Sequence, residues 1–299
     1  MTSTLLRLYS HFTLKDEAPS GDILLFANIF NTGIGNLVWL YPVMKSLEPL
    51  GLTVVCEHDE MSRLLSYNLP MTDVVKFRNI PNKRYGASVN NFLTQTNKNA
   101  RKIISLRINS RIGHIWEDRK KYSWLFNYGV KTNNSIQEFE SNRRLLKPFG
   151  VKDLGFQNIE LPPTSKKFNK FDVLIQPHTS NESKRDFLHY FDIIKKLDCR
   201  VGLIGSKKEF DYCESLCFKT KATNLCGMSL IDTAHLMKRS IVVGNDGGLV
   251  KLAYSIGSPV IQIIQDGSEY TDRSWIKGST MISPTQDAVL ERINNLLTI

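Results

Sequence analysis

The chain has 299 residues, a formal net charge of +10, and a composition of 41% hydrophobic and 23% charged residues. Its length suits two domains of about 130 to 160 residues each, or one large domain, and its composition is ordinary for a water-soluble globular protein. No segment approaches the ~18 uncharged apolar residues that a membrane-spanning helix requires, which excludes a helical integral membrane protein.

Charged residues interrupt the apolar part of the N-terminus, where Arg7, His11 and Lys15 rule out the apolar core of a signal peptide. A cytoplasmic location is therefore expected. The five cysteines are odd in number and form no C-x-x-C pair, so buried or incidental thiols are favoured over metal ligands.

The positive net charge predicts an anionic partner, which is nucleic acid, an acidic membrane face or a phosphorylated substrate. The basic residues are scattered, and the longest basic clusters, at 119–121 and 165–167, lie in no aromatic-interleaved nucleic-acid motif. No nucleic-acid partner is therefore expected. A basic surface that only keeps the protein in solution stays open as the alternative.

Short apolar runs alternate with amphipathic stretches, which predicts an α/β protein with parallel sheets. In the first half of the chain the predicted strands are residues 22–30, 52–58, 73–77 and 102–108. The predicted helices of that half are residues 36–48, 59–67 and 135–148.

A second series of the same kind follows in the second half. Its predicted strands are residues 171–179, 200–206, 240–246 and 259–264. Its predicted helices are residues 186–197, 207–218, 229–238, 248–256 and 285–297. Two such series predict two Rossmann-like halves, and the ligands of such folds bind in the loops after the carboxyl ends of strands.

The segment ELPPTSKKFNKF (160–171) separates the two series. Pro162 and Pro163 exclude a helix there, and the polar run offers no residues for a core. The predicted domains are therefore residues 1–162 and 163–299.

The first strand ends in the loop NTGIGN (31–36). Gly33 and Gly35 allow close approach of a ligand, and the next helix presents free N–H groups to an anion. Val38 stands where the dinucleotide motif G-x-G-x-x-G needs its third glycine, and no Gly-Lys-Ser/Thr of a phosphate-binding P-loop follows. The loop is either a ligand site or a tight turn.

Two loops of the second half carry groups suited to a nucleotide. The hydroxyls of Thr179 and Ser180 and the ammonium of Lys184 form a plausible pyrophosphate cradle, with helix capping as the alternative role for loop residues of this kind. His178 is interpreted as a packed histidine. Glu209, in GSKKEF (205–210), is placed to accept hydrogen bonds from ribose hydroxyls or is an exposed helix glutamate.

The stretch VVGNDGGLVK (242–251) runs from an apolar strand straight into a helix. Asp246 ends the strand, and Gly247 and Gly248 leave room for a ligand against the backbone N–H groups of the helix start. Lys251 lies one turn into that helix, where a cation opposes the helix dipole. This placement indicates an anionic ligand.

Four segments carry a resemblance to one family. They are GIGNLVWLYPVMKSL (33–47), RIGHIWEDRKKYSWLFNYGV (111–130) followed by EFESNRRLLKPFGV (138–151), QPHTSNESKRDF (176–187), and residues 224–264 around VVGNDGGLVK. From about Asp22 to Trp275 the chain resembles glycosyltransferase family 9, the bacterial heptosyltransferase-like enzymes of lipopolysaccharide core synthesis.

The resemblance implies a GT-B fold, an α/β architecture in which two Rossmann-like domains with parallel sheets face each other across a cleft. It implies inverting, metal-independent transfer of a heptose or related sugar from a nucleotide diphosphate donor, held by residues 163–299. The acceptor, a glycolipid or oligosaccharide such as lipopolysaccharide or lipooligosaccharide core, is then held by residues 1–162. No cofactor or metal is expected. The implied location is cytoplasmic, with peripheral contact with the anionic inner face of the inner membrane left open.

The resemblance implies roles for the residues that match the family's motif positions. Thr179, Ser180 and Lys184 are expected to contact the phosphates of the donor, and Glu209 is expected to contact its ribose. The block that closes around sugar and diphosphate is Asp246, Gly247, Gly248 and Leu249, with Lys251 close by. The acceptor side is Gly33, Gly35 and Asn36. The residues expected at the chemistry itself are Asn36, Lys184 and Asp246.

Three departures from the family pattern bear on the chemistry. Asn36 stands where the family has an aspartate, the presumed general base, and an asparagine amide does not accept a proton at pH 7. Residues 246–251 replace the family's Asp-Thr-Gly-x-x-His, which loses a hydroxyl at Gly247 and exchanges an imidazole for the ammonium of Lys251. The base is then a neighbour among His58, Asp59, His114 and Glu117. The alternative is a non-catalytic relative that binds nucleotide sugar as a scaffold or regulator.

Overall fold

The structure is a computed structural model that describes residues 19–28, 33–91, 95–116, 120–133, 135–178, 189–265, 276 and 278–298, without the side chains of residues 120 and 121. Its contacts divide the chain into two compact units, Met1–Gln157 and Asn158–Ile299, called the N-terminal and C-terminal units below. The predicted boundary between residues 162 and 163 lies in the same segment without helix or strand. The ligand-binding roles assigned to the two halves stay predictions.

The described part of the N-terminal unit contains a parallel sheet of six strands and the helices that connect them. The strands are β1 (Ile23–Asn28), β2 (Leu52–Cys56), β3 (Asp73–Val75), β4 (Ala87–Asn90), β5 (Ser110–Trp116) and β6 (Tyr128–Thr132). The α-helices are α1 (Ile34–Leu47), α2 (Asp59–Asn68), α3 (Asn97–Ser105) and α4 (Glu138–Arg143). The strand order is β3-β2-β1-β4-β5-β6.

The described part of the C-terminal unit repeats this architecture. Its strands are β7 (Val173–Gln176), β8 (Val201–Leu203), β9 (Thr223–Asn224), β10 (Ile241–Asn245), β11 (Val260–Ile264) and β12 (Thr280–Ile282). Its α-helices are α5 (Tyr190–Lys196), α6 (Phe210–Phe218), α7 (Leu230–Met237), α8 (Gly248–Ser255) and α9 (Gln286–Leu297). The strand order is β12-β11-β10-β7-β8-β9, and all pairs are parallel.

Both sheets are built for burial on two faces. The residues of β2, β10 and β11 are all buried, as expected for parallel strands with helices packed on both sides. This burial explains why these strands read as continuous apolar runs in the sequence. No helix in the described ranges is long and apolar enough to span a bilayer.

One predicted strand is wrong. Residues 102–108 were expected to be extended, but the structure has helix α3 over Asn97–Ser105. Ala100, Ile103 and Ile104 are buried on one face of this helix, which is the spacing of an amphipathic helix. The Thr96 side chain caps its start by accepting a hydrogen bond of 3.2 Å from the Asn99 N–H.

Five strands, β4, β5, β6, β9 and β12, were not predicted. β5 carries Arg111 and His114, both buried, and such polar residues hide the apolar pattern of a strand. β9 and β12 have only two and three residues, too few for a pattern to be recognised.

The strand orders place one switch point in each sheet. The chain moves outward from β1 to β2 and β3 and returns to β4 on the other side of β1, and it does the same around β7 and β10. Open parallel sheets bind ligands at the carboxyl ends of the two strands that flank such a point. The loop after β1 and the turn after β10 both lie there.

Candidate functional site

The turn after β10 links the switch point of the C-terminal sheet to helix α8. Asp246 and Gly247 follow β10, and α8 begins at Gly248. Gly247 is the N-cap residue in an extended conformation and offers no side-chain cap to the helix. Backbone N–H groups at such a helix start attract anions.

A buried ion pair holds this turn. Lys251 Nζ lies 3.4 Å from Asp246 Oδ1, and the two side chains are only 8% and 4% exposed. The carboxylate compensates the cation near the positive end of the helix dipole. The position of Lys251 therefore has an explanation within the chain and does not by itself require an anionic ligand. A donor contact by Lys251 stays a prediction.

Gln262 of β11 was not singled out from the sequence, yet it supports the same carboxylate. The Gln262 amide donates from Nε2 to Asp246 Oδ1 at 3.2 Å, and its Oε1 accepts from Thr280 Oγ1 at 2.7 Å and from Ile276 N at 3.1 Å. The side chain is fully buried. The only signal in the sequence was one glutamine inside the apolar run VIQII.

The side chain of Gln176 packs against Gly247. A Cβ atom at position 247 would lie 2.9 Å from Gln176 Oε1 and 3.0 Å from Gln176 Nε2, and real Cβ contacts are not that short. Gln176 is the last residue of β7, the strand paired with β10. The space beside Gly247 that the sequence suggested for a ligand is thus shared with Gln176. Gly248 and Leu249 form the first turn of α8.

Glu209 has a local structural role. Its carboxylate accepts a hydrogen bond of 2.6 Å from Ser206 N, and the Ser206 side chain accepts one of 3.2 Å from Lys208 N, which makes a capping box. The ribose contact assigned to Glu209 stays a prediction.

The predicted phosphate cradle of Thr179, Ser180 and Lys184 lies outside the described residues. The chain enters that loop from β7, directly beside the Asp246 turn, because β7 pairs with β10. His178, just before the loop, has its ring centroid 5.1 Å from that of Tyr212, an aromatic contact.

Gly33, Gly35 and Asn36 form the start of α1 at the carboxyl end of β1. Gly33 is the N-cap, and the Asn36 N–H donates to the Gly33 carbonyl at 3.2 Å. A Cβ on Gly33 would meet no described atom within 4 Å. Packing against the described residues therefore does not demand a glycine at position 33. The acceptor role of these three residues stays a prediction.

Two of the candidate bases lie at the start of α2. His58 Nδ1 accepts a hydrogen bond of 3.3 Å from Met61 N, so the neutral ring carries its proton on Nε2. Asp59 is exposed and pairs with Lys76 at 2.5 Å, and this hydrogen bond and charge lower the pKa of the Asp59 carboxyl. A lower pKa makes Asp59 a weaker general base.

His114, the third candidate, lies in the interior of the N-terminal unit. Its Nε2 is 2.8 Å from the Ser141 carbonyl oxygen and 3.1 Å from Ser141 Oγ, which donates to Thr132 Oγ1 at 2.7 Å. These contacts tie β5 and β6 to α4 and give His114 a structural role. Glu117, the fourth candidate, lies outside the described residues.

A basic groove lies where the chain leaves β2 and β3 and enters α3. It consists of two adjoining cavities of about 430 and 570 Å³ that share Phe77 and Lys98. The basic residues of the groove are Lys76, Arg78, Lys98, Arg101 and Lys102. Lys98 Nζ lies 4.2 Å from the centre of the Phe77 ring. The groove also contains two acidic residues, Glu57 and Asp59. Because the basic residues outnumber them, the groove has a net positive charge, which suits an anionic ligand.

Metal ligation was not expected, and the described residues contain no group of three or more His, Cys, Asp or Glu side chains that could hold an ion. Transfer without a metal stays a prediction.

The fold is that of known sugar-transferring enzymes. The solved structure of Escherichia coli ADP-heptose lipopolysaccharide heptosyltransferase II is 16% identical and aligns over 93% of this chain and 98% of its own, with a TM-score of 0.68. The family 9 glycosyl transferase of Veillonella parvula is 11% identical over 95% and 99%, with a TM-score of 0.71. The E. coli heptosyltransferase WaaC, solved with ADP-2-deoxy-2-fluoro heptose, is 16% identical over 92% and 99%, with a TM-score of 0.65. These similarities confirm the predicted GT-B fold.

A comparison with curated proteins finds no match. A sequence model of glycosyltransferase family 9 (heptosyltransferase) matches residues 93–289, about two thirds of the chain. The match includes the loop after β7 and the Asp246 turn but begins after Asn36. The chain therefore belongs to glycosyltransferase family 9, the heptosyltransferase family, and is an enzyme of glycosyl transfer.

Proposed function

We propose that the chain transfers a heptose or related sugar from a nucleotide diphosphate donor to a saccharide acceptor such as lipopolysaccharide or lipooligosaccharide core, with inversion and without a metal. The observation that carries this proposal is the Asp246 turn. It lies at the switch point of the C-terminal sheet, inside the family match, and ends in a helix start without a side-chain cap.

The donor binds at the C-terminal unit in this proposal. Thr179, Ser180 and Lys184 contact the diphosphate, which also faces the first turn of α8, and Glu209 contacts the ribose. These donors stabilise the negative charge that builds up on the leaving diphosphate. Asp246, fixed by Lys251 and Gln262, borders the sugar.

The acceptor binds at the N-terminal unit. Gly33, Gly35 and Asn36 lie at its switch point, and the basic groove offers cations for an acceptor that carries phosphate or carboxylate groups. Asn36 positions the acceptor hydroxyl, because its amide does not take up a proton. The base is a further residue, and the pair with Lys76 makes the Asp59 carboxylate a weaker base than an unpaired aspartate, because it lowers the Asp59 pKa.

A transfer assay tests this proposal. The purified chain is incubated with ADP-heptose, UDP-glucose or GDP-mannose and truncated core oligosaccharides, and the product is followed by mass spectrometry, with and without a chelator. We expect turnover with one donor and no effect of the chelator. A chain that binds nucleotide sugar but turns over none across the panel favours the non-catalytic alternative, and a strict Mg²⁺ requirement contradicts the metal-free mechanism.

The variant Asn36→Asp is the matched comparison in that assay. Because we expect the wild type to be active with another base, the added charge near an anionic donor should give no gain or slow transfer. A rate that rises strongly, with a pH profile following a carboxyl of pKa near 4, would instead identify position 36 as a vacated base site.

We also propose peripheral attachment at the cytoplasmic face of the inner membrane through the basic surface. Co-sedimentation with vesicles rich in anionic lipid is expected at low salt and should fall steeply above about 0.15 M salt, since exposed charges are screened beyond ~8 Å. Neutral vesicles are the control. Absence of binding to acidic vesicles at low salt would leave the positive charge with a role in solubility alone.

A further inference from the structure

Gln176 lies at the centre of the C-terminal switch point. It ends β7, its register partner in β10 is Gly244, and its amide contacts Gly247 at the start of α8. The residue is 8% exposed. Gln176 is not among the site residues predicted from the sequence, and it takes part neither in the capping of a helix nor in the Asp246 ion pair.

The amide of Gln176 is half satisfied. Its Nε2 donates to the His178 carbonyl at 3.2 Å, which fixes which end of the amide is the oxygen. Its Oε1 has no hydrogen-bond partner among the residues that the structure describes. A buried acceptor without a partner costs free energy, and a hydrogen bond from a bound ligand or a water molecule would recover it.

The surroundings of this oxygen indicate what kind of group it meets. The first turn of α8 offers N–H donors to phosphate oxygens. An amide oxygen carries partial negative charge and accepts only from a donor group, so it repels phosphate and suits a hydroxyl. The N–H groups of α8 therefore suit a diphosphate, and the neighbouring Gln176 Oε1 suits a sugar hydroxyl.

We propose that Gln176 Oε1 accepts a hydrogen bond from a hydroxyl of the transferred sugar and so helps to select the donor. This rests on the proposed function, because it places the donor at the Asp246 turn. The contact distinguishes a nucleotide sugar from the nucleoside diphosphate alone.

The test is Gln176→Met, which keeps the length of the side chain and removes the amide. Calorimetry is run with ADP and ADP-heptose and with UDP and UDP-glucose. We expect the affinity for the nucleotide sugar that the wild type prefers to fall about five- to tenfold, the range of one hydroxyl contact to a buried acceptor. Binding of the matching nucleoside diphosphate should change less than twofold. The melting temperature should change little, because the variant loses the Nε2 hydrogen bond to the His178 carbonyl but also loses an unsatisfied buried oxygen. If Gln176 were purely structural, the melting temperature would fall and the affinity for the nucleotide sugar would not.

Gln286→Met, at the start of α9, is the matched control and should alter neither affinity. Nucleotide sugars with single deoxy-fluoro positions complete the test. For the wild type, one of these analogues should bind more weakly than the parent nucleotide sugar. For Gln176→Met, the same analogue and the parent should bind with equal affinity.

Three results separate the hypotheses. Equal sensitivity of wild type and variant to every analogue overturns the role of Gln176 while the proposed donor site stands. A loss that already appears with the nucleoside diphosphate moves the contact to the nucleoside and also overturns it. A wild type that binds no nucleoside diphosphate contradicts the proposed function itself. Should Gln176→Met not fold, the analogues on the wild type alone decide, because full affinity for all of them excludes a hydroxyl contact.

Discussion

Asp246→Ala is expected to lower the free energy of unfolding by about 3 to 5 kcal/mol, the cost of leaving a buried charge without its counterion. The Lys251 ammonium, 3.4 Å from Asp246 Oδ1, is only 8% exposed and loses its carboxylate in this variant. Urea unfolding followed by circular dichroism measures the change, read from the midpoint at constant slope.

The double variant Asp246→Ala/Lys251→Met tests the cause. It removes both charges, so it should be more stable than Asp246→Ala alone. Asp287→Ala is the surface control, because Asp287 is 86% exposed and its pair with Lys196 is worth at most about 1 kcal/mol. A double variant as unstable as the single one would show that the ion pair is not what stabilises the turn.

Lys184→Ala is expected to weaken binding of a nucleoside diphosphate about tenfold or more. Charge-assisted hydrogen bonds to phosphate are worth roughly 1.5 to 3 kcal/mol, and the site assigned to Lys184 is the diphosphate. Calorimetry with ADP and UDP at constant ionic strength measures the effect on the full chain.

Lys196→Ala serves as the charge-matched control. Lys196 lies in α5, 54% exposed, and its removal changes the net charge by the same amount. It should leave the affinity within about twofold, since Lys196 is exposed to solvent and pairs with Asp287. If both variants bind as the wild type does, Lys184 has no place in the donor site.

The fold class followed from the pattern of apolar runs because parallel strands are buried on both faces. The strands that contain Val54, Val243 and Ile261 are recognisable in the sequence as apolar runs for this reason. Polar strands are not recognised in this way. Arg111 and His114 are buried in β5, and His114 contacts the Ser141 carbonyl oxygen, 27 residues further along the chain, which only the folded unit brings close. Residues 103 and 104 were assigned to a strand because a short apolar run fits either a strand or a buried part of a helix. In the structure they lie on one face of α3.

The candidate site divides in a similar way. The sequence alone predicted the strand-to-helix turn at Asp246 and the glycines after it, because turn chemistry and apolar runs are local in sequence. The donor role of the loop that holds Lys184 stays a prediction. Only the tertiary structure decided that Lys251 pairs with Asp246, that Gln262 supports the carboxylate, and that Gln176 packs on Gly247. Those contacts join three neighbouring strands of one sheet, and strand order depends on how helices pack across both faces, which no local pattern encodes.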